Sequence, residues 1–269
     1  MNLCRLTCAA AAVAAFVAAD ARAQEAPRFR TDCKAPKDIV HLDEGLPQLA
    51  LRIAQKEAVT IVAFGSSSTA GAGATSVDAT YPARLEAELK LAFPNVPIRV
   101  INRGIGGEDA REMLERLDKD VAAAKPDLIV WQLGTNALLR SNGVDREQPL
   151  ILEGIKRMRA AGADVVLMDP QYAPKVLKDP DAEPMVNLIS DIADAQHVNV
   201  FRRFALMRYW RETSGVPFEM FLSPDLLHMN DFSYACTAHY LGAAIAEAVS
   251  FTKKPSEAIH ASAPGSTTR

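Results

Sequence analysis

Five short apolar runs, spaced by segments of helical period, constrain this chain more than any other feature. They lie at residues 59–64, 98–101, 127–133, 164–168 and 198–201. Each is too short for a buried helix and is rich in Val, Ile, Leu or Phe, so each reads as a strand. Helical periodicity occupies the intervals. It appears at 82–91, where Pro82 suits a first turn, at 109–124, ended by Pro126, and at 146–161 and 184–196. A short helix at 46–55 precedes the first strand, and a long one at 232–249 follows the last. Strands that alternate with helices predict a parallel sheet covered on both faces, with right-handed crossovers. The run at 59–64 is apolar enough to be buried on both sides.

In such sheets, ligands and chemistry gather beyond the carboxyl ends of the strands. That rule selects four segments. After the first strand stands Gly65-Ser66-Ser67-Ser68-Thr69, and after the second Asn102-Arg103-Gly104-Ile105-Gly106-Gly107-Glu108-Asp109. After the third stands Gly134-Thr135-Asn136, and before the last helix Ser223-Pro224-Asp225-Leu226-Leu227-His228-Met229-Asn230. A serine in a tight strand-to-helix turn exposes its hydroxyl, and its own N–H lies where a developing oxyanion would form. Closely spaced glycines let backbone N–H groups approach a ligand, while Asp109 reads as an N-cap. Asn136 can donate an amide hydrogen or simply satisfy a turn. Asp225 stands three residues before His228, a spacing at which a turn brings the carboxylate to one imidazole nitrogen and leaves the other for a nucleophile. His41, His197, His239 and His260 lie in settings that read as structural or surface positions. The loop at 170–183 carries Pro170, Pro174 and Pro180 and is placed to rim a pocket.

Taken together and in this order, the four segments resemble the blocks of the SGNH hydrolases, the GDSL esterase/lipase family. The resemblance runs over roughly residues 58–250. Aligning Gly65-Ser66-Ser67-Ser68-Thr69 with the family's Gly-Asp-Ser block selects Ser67 as the nucleophile. Asp225 and His228 match the Asp-x-x-His block. The resemblance further implies an oxyanion hole built from the Ser67 N–H, the Gly107 N–H and the Asn136 amide. Two positions depart from the pattern: Ser66 stands where the family has Asp, and Ala137 where it has a second Asp. The implied fold is a three-layer α/β/α sandwich on a central five-stranded parallel sheet, flavodoxin-like and of the SGNH type. The implied activity is a serine esterase acting through an acyl-enzyme on an ester substrate, a small molecule or a polysaccharide. An O-acyltransferase with the same triad and a non-catalytic carbohydrate-binding protein on the same fold are the rival readings.

Composition bears on partners and location. The 269 residues are 49% hydrophobic with a net charge of −3, and no basic stripe points to nucleic acid. There is no Gly-Lys-Ser/Thr for a phosphate loop and no Cys/His cluster for a metal, so neither cofactor nor metal is expected. Residues 1–23 have the form of a cleaved signal peptide: Arg5, an apolar run at 6–19, and Ala21-Arg22-Ala23 as the cleavage site. That run is shorter than the roughly 20 residues a membrane span needs, so no stable membrane anchor is expected. The leader predicts a periplasmic or secreted bacterial protein, with one domain at 24–253 and a disordered Ser/Ala/Pro/Thr tail at 254–269. With Cys4 and Cys8 in the leader, Cys33 and Cys236 remain as a candidate disulfide in an oxidising compartment.

Overall fold

The computed structural model describes residues 33–251. The expected leader, the first residues of the expected domain (24–32) and the expected tail lie outside the described residues.

The five strands form one parallel sheet in the order β2-β1-β3-β4-β5. They are β1 (Val59–Gly65), β2 (Ile98–Gly104), β3 (Leu128–Gln132), β4 (Asp164–Met168) and β5 (Asn199–Phe201). All five residues of β3 are buried, as are Ile61 to Phe64 of β1. This burial explains why the two strands read as unbroken apolar runs. β2 runs three residues past its apolar stretch, because Asn102, Arg103 and Gly104 pair with Ala63, Phe64 and Gly65. As an edge strand it carries polar side chains that a central strand would not.

Helices cover both faces. On one, α3 (Tyr81–Ala92) and α1 (Pro47–Gln55) pack against the last helix, α10 (Asp231–Phe251). On the other, α4 (Ala110–Asp120), α6 (Val144–Ala160) and α7 (Ala182–Gln196) pack in succession. In chain order, the short helices α2 (Ser67–Ala70) and α5 (Thr135–Leu139) follow β1 and β3, and α8 (Arg203–Arg208) and α9 (Phe218–Phe221) precede α10. The fold is the expected α/β/α sandwich. α4 starts where its sequence requires: Asp109 accepts from the Arg111 and Glu112 N–H groups, and Glu112 accepts from the Asp109 N–H in return. Such a capping box satisfies donors that the first turn leaves without partners. The helix ends at Asp120, earlier than the expected 124, and a 3₁₀ turn at Ala122–Ala124 finishes the segment.

The core is packed around Trp131 of β3. Its ring stacks on Phe64 at 6.3 Å between centroids, and its indole N–H points at the Met113 sulfur, 3.2 Å away. Gly154 lets α6 lie against that ring, since a Cβ there would come within 2.3 Å of the indole. The helix-propensity cost of a mid-helix glycine, about 1 kcal/mol, is offset by this close approach. The segment before α1 reads as irregular and polar, and the structure pins it. Leu42 and Leu46 are buried, and the Asn199 side chain exchanges hydrogen bonds with the Glu44 backbone at 2.8 and 3.0 Å.

Cys33 and Cys236 are bonded, with Cα atoms 5.8 Å apart and 203 positions between them in sequence. Closing so long a loop removes much freedom from the unfolded chain, so the paired change Cys33→Ala/Cys236→Ala is expected to cost about 2–5 kcal/mol. Urea midpoints with and without reductant check this. Reductant should lower the wild-type midpoint and leave the variant's unchanged; coincident wild-type curves would contradict it.

Glu147 in α6 is 1% exposed, and its Oε2 has no hydrogen-bond partner. Burial, together with the negative charge of Asp109, pushes its carboxyl up to about 7 against the opposing pull of Arg111. A carboxyl whose folded value is raised contributes stability below its unfolded pKa and loses it as pH rises through the folded one. The loss across roughly pH 4.5 to 7 is about 3 kcal/mol. Glu147→Gln should lack that slope, so the stability difference between variant and wild type should change across this pH range. Parallel pH profiles would contradict the assignment.

Candidate active site

The switch point of the sheet lies between β1 and β3, where crossovers from the two strands leave in opposite directions and open a crevice. Ser67 stands at the carboxyl end of β1. Of the three adjacent serines, Ser66 and Ser68 are each 1% exposed, whereas Ser67 is part-exposed. Ser66 is held from below: its N–H and its hydroxyl both donate to Gln132 Oε1 at the end of β3, at 2.9 and 3.0 Å. Thr69 donates to the same oxygen at 3.2 Å and meets the Tyr81 hydroxyl at 3.0 Å. Ser66, which stands where the family has Asp, thus ties the turn to the neighbouring strand.

His228 approaches from the far end of the chain. Its loop is a tight turn closed by Ser223 N–H to His228 O at 2.8 Å and by a bridge between Leu222 and Met229. Leu226 adopts a left-handed conformation at φ 55°. Asp225 Oδ1 accepts from the Leu227 and His228 N–H groups, each at 3.0 Å, and its Oδ2 lies 2.5 Å from His228 Nδ1. The carboxylate can only accept, so Nδ1 carries the hydrogen and Nε2 is the acceptor. Nε2 lies 2.9 Å from Ser67 Oγ. Burial raises Asp225, but its bonds to the His228 ring and to the two backbone N–H groups outweigh this and hold the carboxyl below its usual range. Gly73 makes the approach feasible: it sits at φ 89°, and a Cβ there would come within 2.3 Å of Met229 O and Ser223 Oγ.

A carboxylate partner alone does not single out His228. His41 pairs with Asp43, His197 with Glu44 and His239 with Glu88, all near the surface. What distinguishes His228 is the serine hydroxyl on its second nitrogen. His260 lies outside the described residues.

The turn after β2 borders Ser67 on another side. Ile105 N–H donates to Gly65 O at 3.0 Å, and a Cβ placed on Gly106 would lie 3.9 Å from Ser67 Cβ. Gly107 has φ 87°, and its carbonyl accepts from Arg140 at 2.6 Å. Asn136, the second residue of α5, donates from Nδ2 to Glu108 O at 2.8 Å. An amide nitrogen carries two hydrogens, so this bond fixes the amide plane and leaves one hydrogen for another acceptor. Arg116 lies over the Phe64 ring at 4.5 Å, pairs with Glu108, and donates to Gly65 O and Arg103 O.

Ser67, Gly107, Asn136, Asp225 and His228 thus all lie in the connections beyond the carboxyl ends of the strands or before α10. The loop at 170–183 joins them, through a Gln171 amide that donates to Leu227 O at 3.2 Å. The arrangement offers a hydroxyl, a base aimed at it, and neighbouring donors that can meet negative charge. Among the described residues, no group of three or more His, Cys, Asp or Glu side chains could hold a metal ion, and no helix is long and apolar enough to cross a membrane. Sequence reasoning missed the supporting polar residues Gln132, Gln171, Arg116 and Arg140. Only Gln132 carried a signal, as a polar residue ending an otherwise apolar strand.

Residues 32–251 match the Non-GDSL lipase-like family. Esterase TesA of Pseudomonas aeruginosa is 30% identical over 138 residues, covering 50% of this chain and 67% of the relative. An acetylxylan esterase of Geobacillus stearothermophilus is 37% identical over 60 residues, 22% of this chain and 27% of the relative. Among solved structures, a two-domain esterase active on acetylated mannans superposes with a TM-score of 0.65 at 17% identity. The match covers 85% of this chain and 61% of that one, so the chain spans well under the whole of the two-domain enzyme. Its fold, its block order and the match over residues 32–251 place the chain in the Non-GDSL lipase-like family of SGNH-type ester hydrolases.

Proposed function

We propose that the protein is a secreted serine esterase that removes short acyl groups, acetyl foremost, from a carbohydrate. The observation that carries the reading is the hydrogen-bonded chain Ser67 Oγ, His228 Nε2, His228 Nδ1, Asp225 Oδ2. His228 takes the Ser67 proton as the hydroxyl attacks the ester carbonyl, and Asp225 holds the ring and stabilises its positive form. The oxyanion of the tetrahedral intermediate accepts from the Ser67 N–H, the Gly107 N–H and the second Asn136 amide hydrogen. Ser67 is the first residue of α2, so its N–H has no acceptor within the helix. His228 then returns its proton to the departing alcohol oxygen. Water, deprotonated by the same nitrogen, releases the acyl group from Ser67.

The carbohydrate part rests on the relatives, two of which are named for acetylated xylan or mannan. Secretion rests on the leader-like residues 1–23 and fits the Cys33–Cys236 bond. The same reading makes residues 24–253 a single catalytic domain.

Hydrolysis of an acyl series from acetyl to long chain, on aryl esters and on acetylated xylo- and manno-oligosaccharides, tests the proposal. Wild type should prefer acetyl, and Ser67→Ala should lose turnover with its melting curve unchanged. Activity retained in that variant would sink the nucleophile assignment. Acyl transfer to added sugar in excess of hydrolysis would instead make the protein a transferase. Asn136→Ala should lower kcat about a hundredfold, the usual loss for one oxyanion donor. An effect confined to KM would mean that Asn136 only binds substrate.

A further inference from the structure

Gln171 lies on the segment that leaves β4, in none of the four motif segments, yet its amide reaches two of them. It is 1% exposed. Its Oε1 accepts from Thr135 Oγ1 at 2.9 Å and from Arg203 Nη2 at 3.1 Å, and its Nε2 donates to Leu227 O at 3.2 Å. Thr135 precedes Asn136 in the chain, and Leu227 precedes His228. One buried side chain is therefore bonded one residue away from the amide assigned to the oxyanion and one residue away from the general base.

The orientation of this amide is fixed by chemistry. A guanidinium only donates, so the group facing Arg203 must be the oxygen, and the nitrogen must face Leu227 O. Arg203 is itself immobilised. It is fully buried, and its Nε donates to Asp169 O at 3.0 Å, two residues before Gln171. The Asp169 carboxylate in turn accepts from the Phe204 N–H at 2.8 Å. The chain of bonds runs from the end of β4 through α8 to Gln171 and from there into both loops. In a low-dielectric interior such bonds are strong, and breaking those of the Gln171 amide leaves buried polar groups without partners.

We propose that Gln171 is a positioning residue that sets the His228 loop against the Asn136 loop, so that base and oxyanion donor face one reacting carbonyl. This rests on the Ser67–His228–Asp225 reading above. Errors of about 1 Å in such placement can cost a hundredfold in rate, so the effect belongs in kcat rather than in substrate binding.

Gln171→Glu is the sharpest probe. It keeps the side-chain length and the acceptor for Thr135 and Arg203, but turns the group facing the Leu227 carbonyl from a donor into a second acceptor. Thr135→Val is the companion: close to isosteric, uncharged, and lacking only the hydroxyl that reaches Gln171. Both are assayed on an aryl acetate well below their melting temperatures, beside Ser67→Ala. Gln171→Glu should lower kcat at least tenfold with KM within about twofold, and should slow inactivation by a fluorophosphonate in proportion. Thr135→Val should lower kcat severalfold with the same constant KM. Wild-type kcat in a folded Gln171→Glu would overturn the proposal. If that variant does not fold, wild-type kcat in Thr135→Val overturns it. An inactive Ser67→Ala alongside unimpaired variants removes this inference alone, whereas an active Ser67→Ala removes the triad reading and this inference together.

Discussion

Everything at the site depends on β1 lying between β2 and β3, buried on both faces and parallel to each. Burial on both faces keeps the strand in the centre of the sheet, with Ile61, Val62 and Phe64 out of water. Pairing on both sides then fixes where its carboxyl end stops relative to the two neighbours. The register that sets Gly65 opposite Gly104 brings the turn after β2 beside Ser67. The pairing of Phe64 with Trp131 sets the β3 loop with Asn136 on the other flank. The turn after β1 therefore has the glycine turn after β2 on one side and the loop of Asn136 on the other, and the loop before α10 supplies the histidine.

The sheet sets ångström-scale proximity, and buried polar side chains refine it. Gln132 holds the floor of the serine turn through Ser66 and Thr69. Arg116 and Arg140 hold the glycine turn by its carbonyls, and Gln171 and Arg203 lie behind the loops of Asn136 and His228. Gln132, Gln171 and Arg203 are buried, where a polar group left unmet costs free energy. The bonds they make restrict loops that packing alone would leave several ways to settle. Holding loops in this way gives buried Gln and Arg a physical role at positions where an aliphatic side chain would bury more cheaply.

The sheet was legible because buried parallel strands are written as apolar runs, and the helices that cover it because their period is 3.6. What escaped had no pattern to show. The four-residue α2 and α9 and the five-residue α5 are too short for a period, and β2 continues through Asn102 and Arg103 only because β1 is there to pair with. The motif residues themselves could be read from spacing and block order, and the structure brings Ser67, His228 and Asp225 within hydrogen-bonding reach. Gln171 could not be read, since its partners at Thr135, Arg203 and Leu227 are 36, 32 and 56 positions away. The exposed carboxylate partners of His41, His197 and His239 show the converse: an acid beside a histidine is common, and only the third member makes it informative.

The central claim is that one serine among three is activated. Peptide mapping after reaction with a fluorophosphonate tests it most directly, because the probe marks the reacting oxygen itself. A single adduct on Ser67, absent in His228→Ala, is the result this account predicts. An adduct on Ser66 or Ser68, or labelling that survives loss of His228, would contradict it.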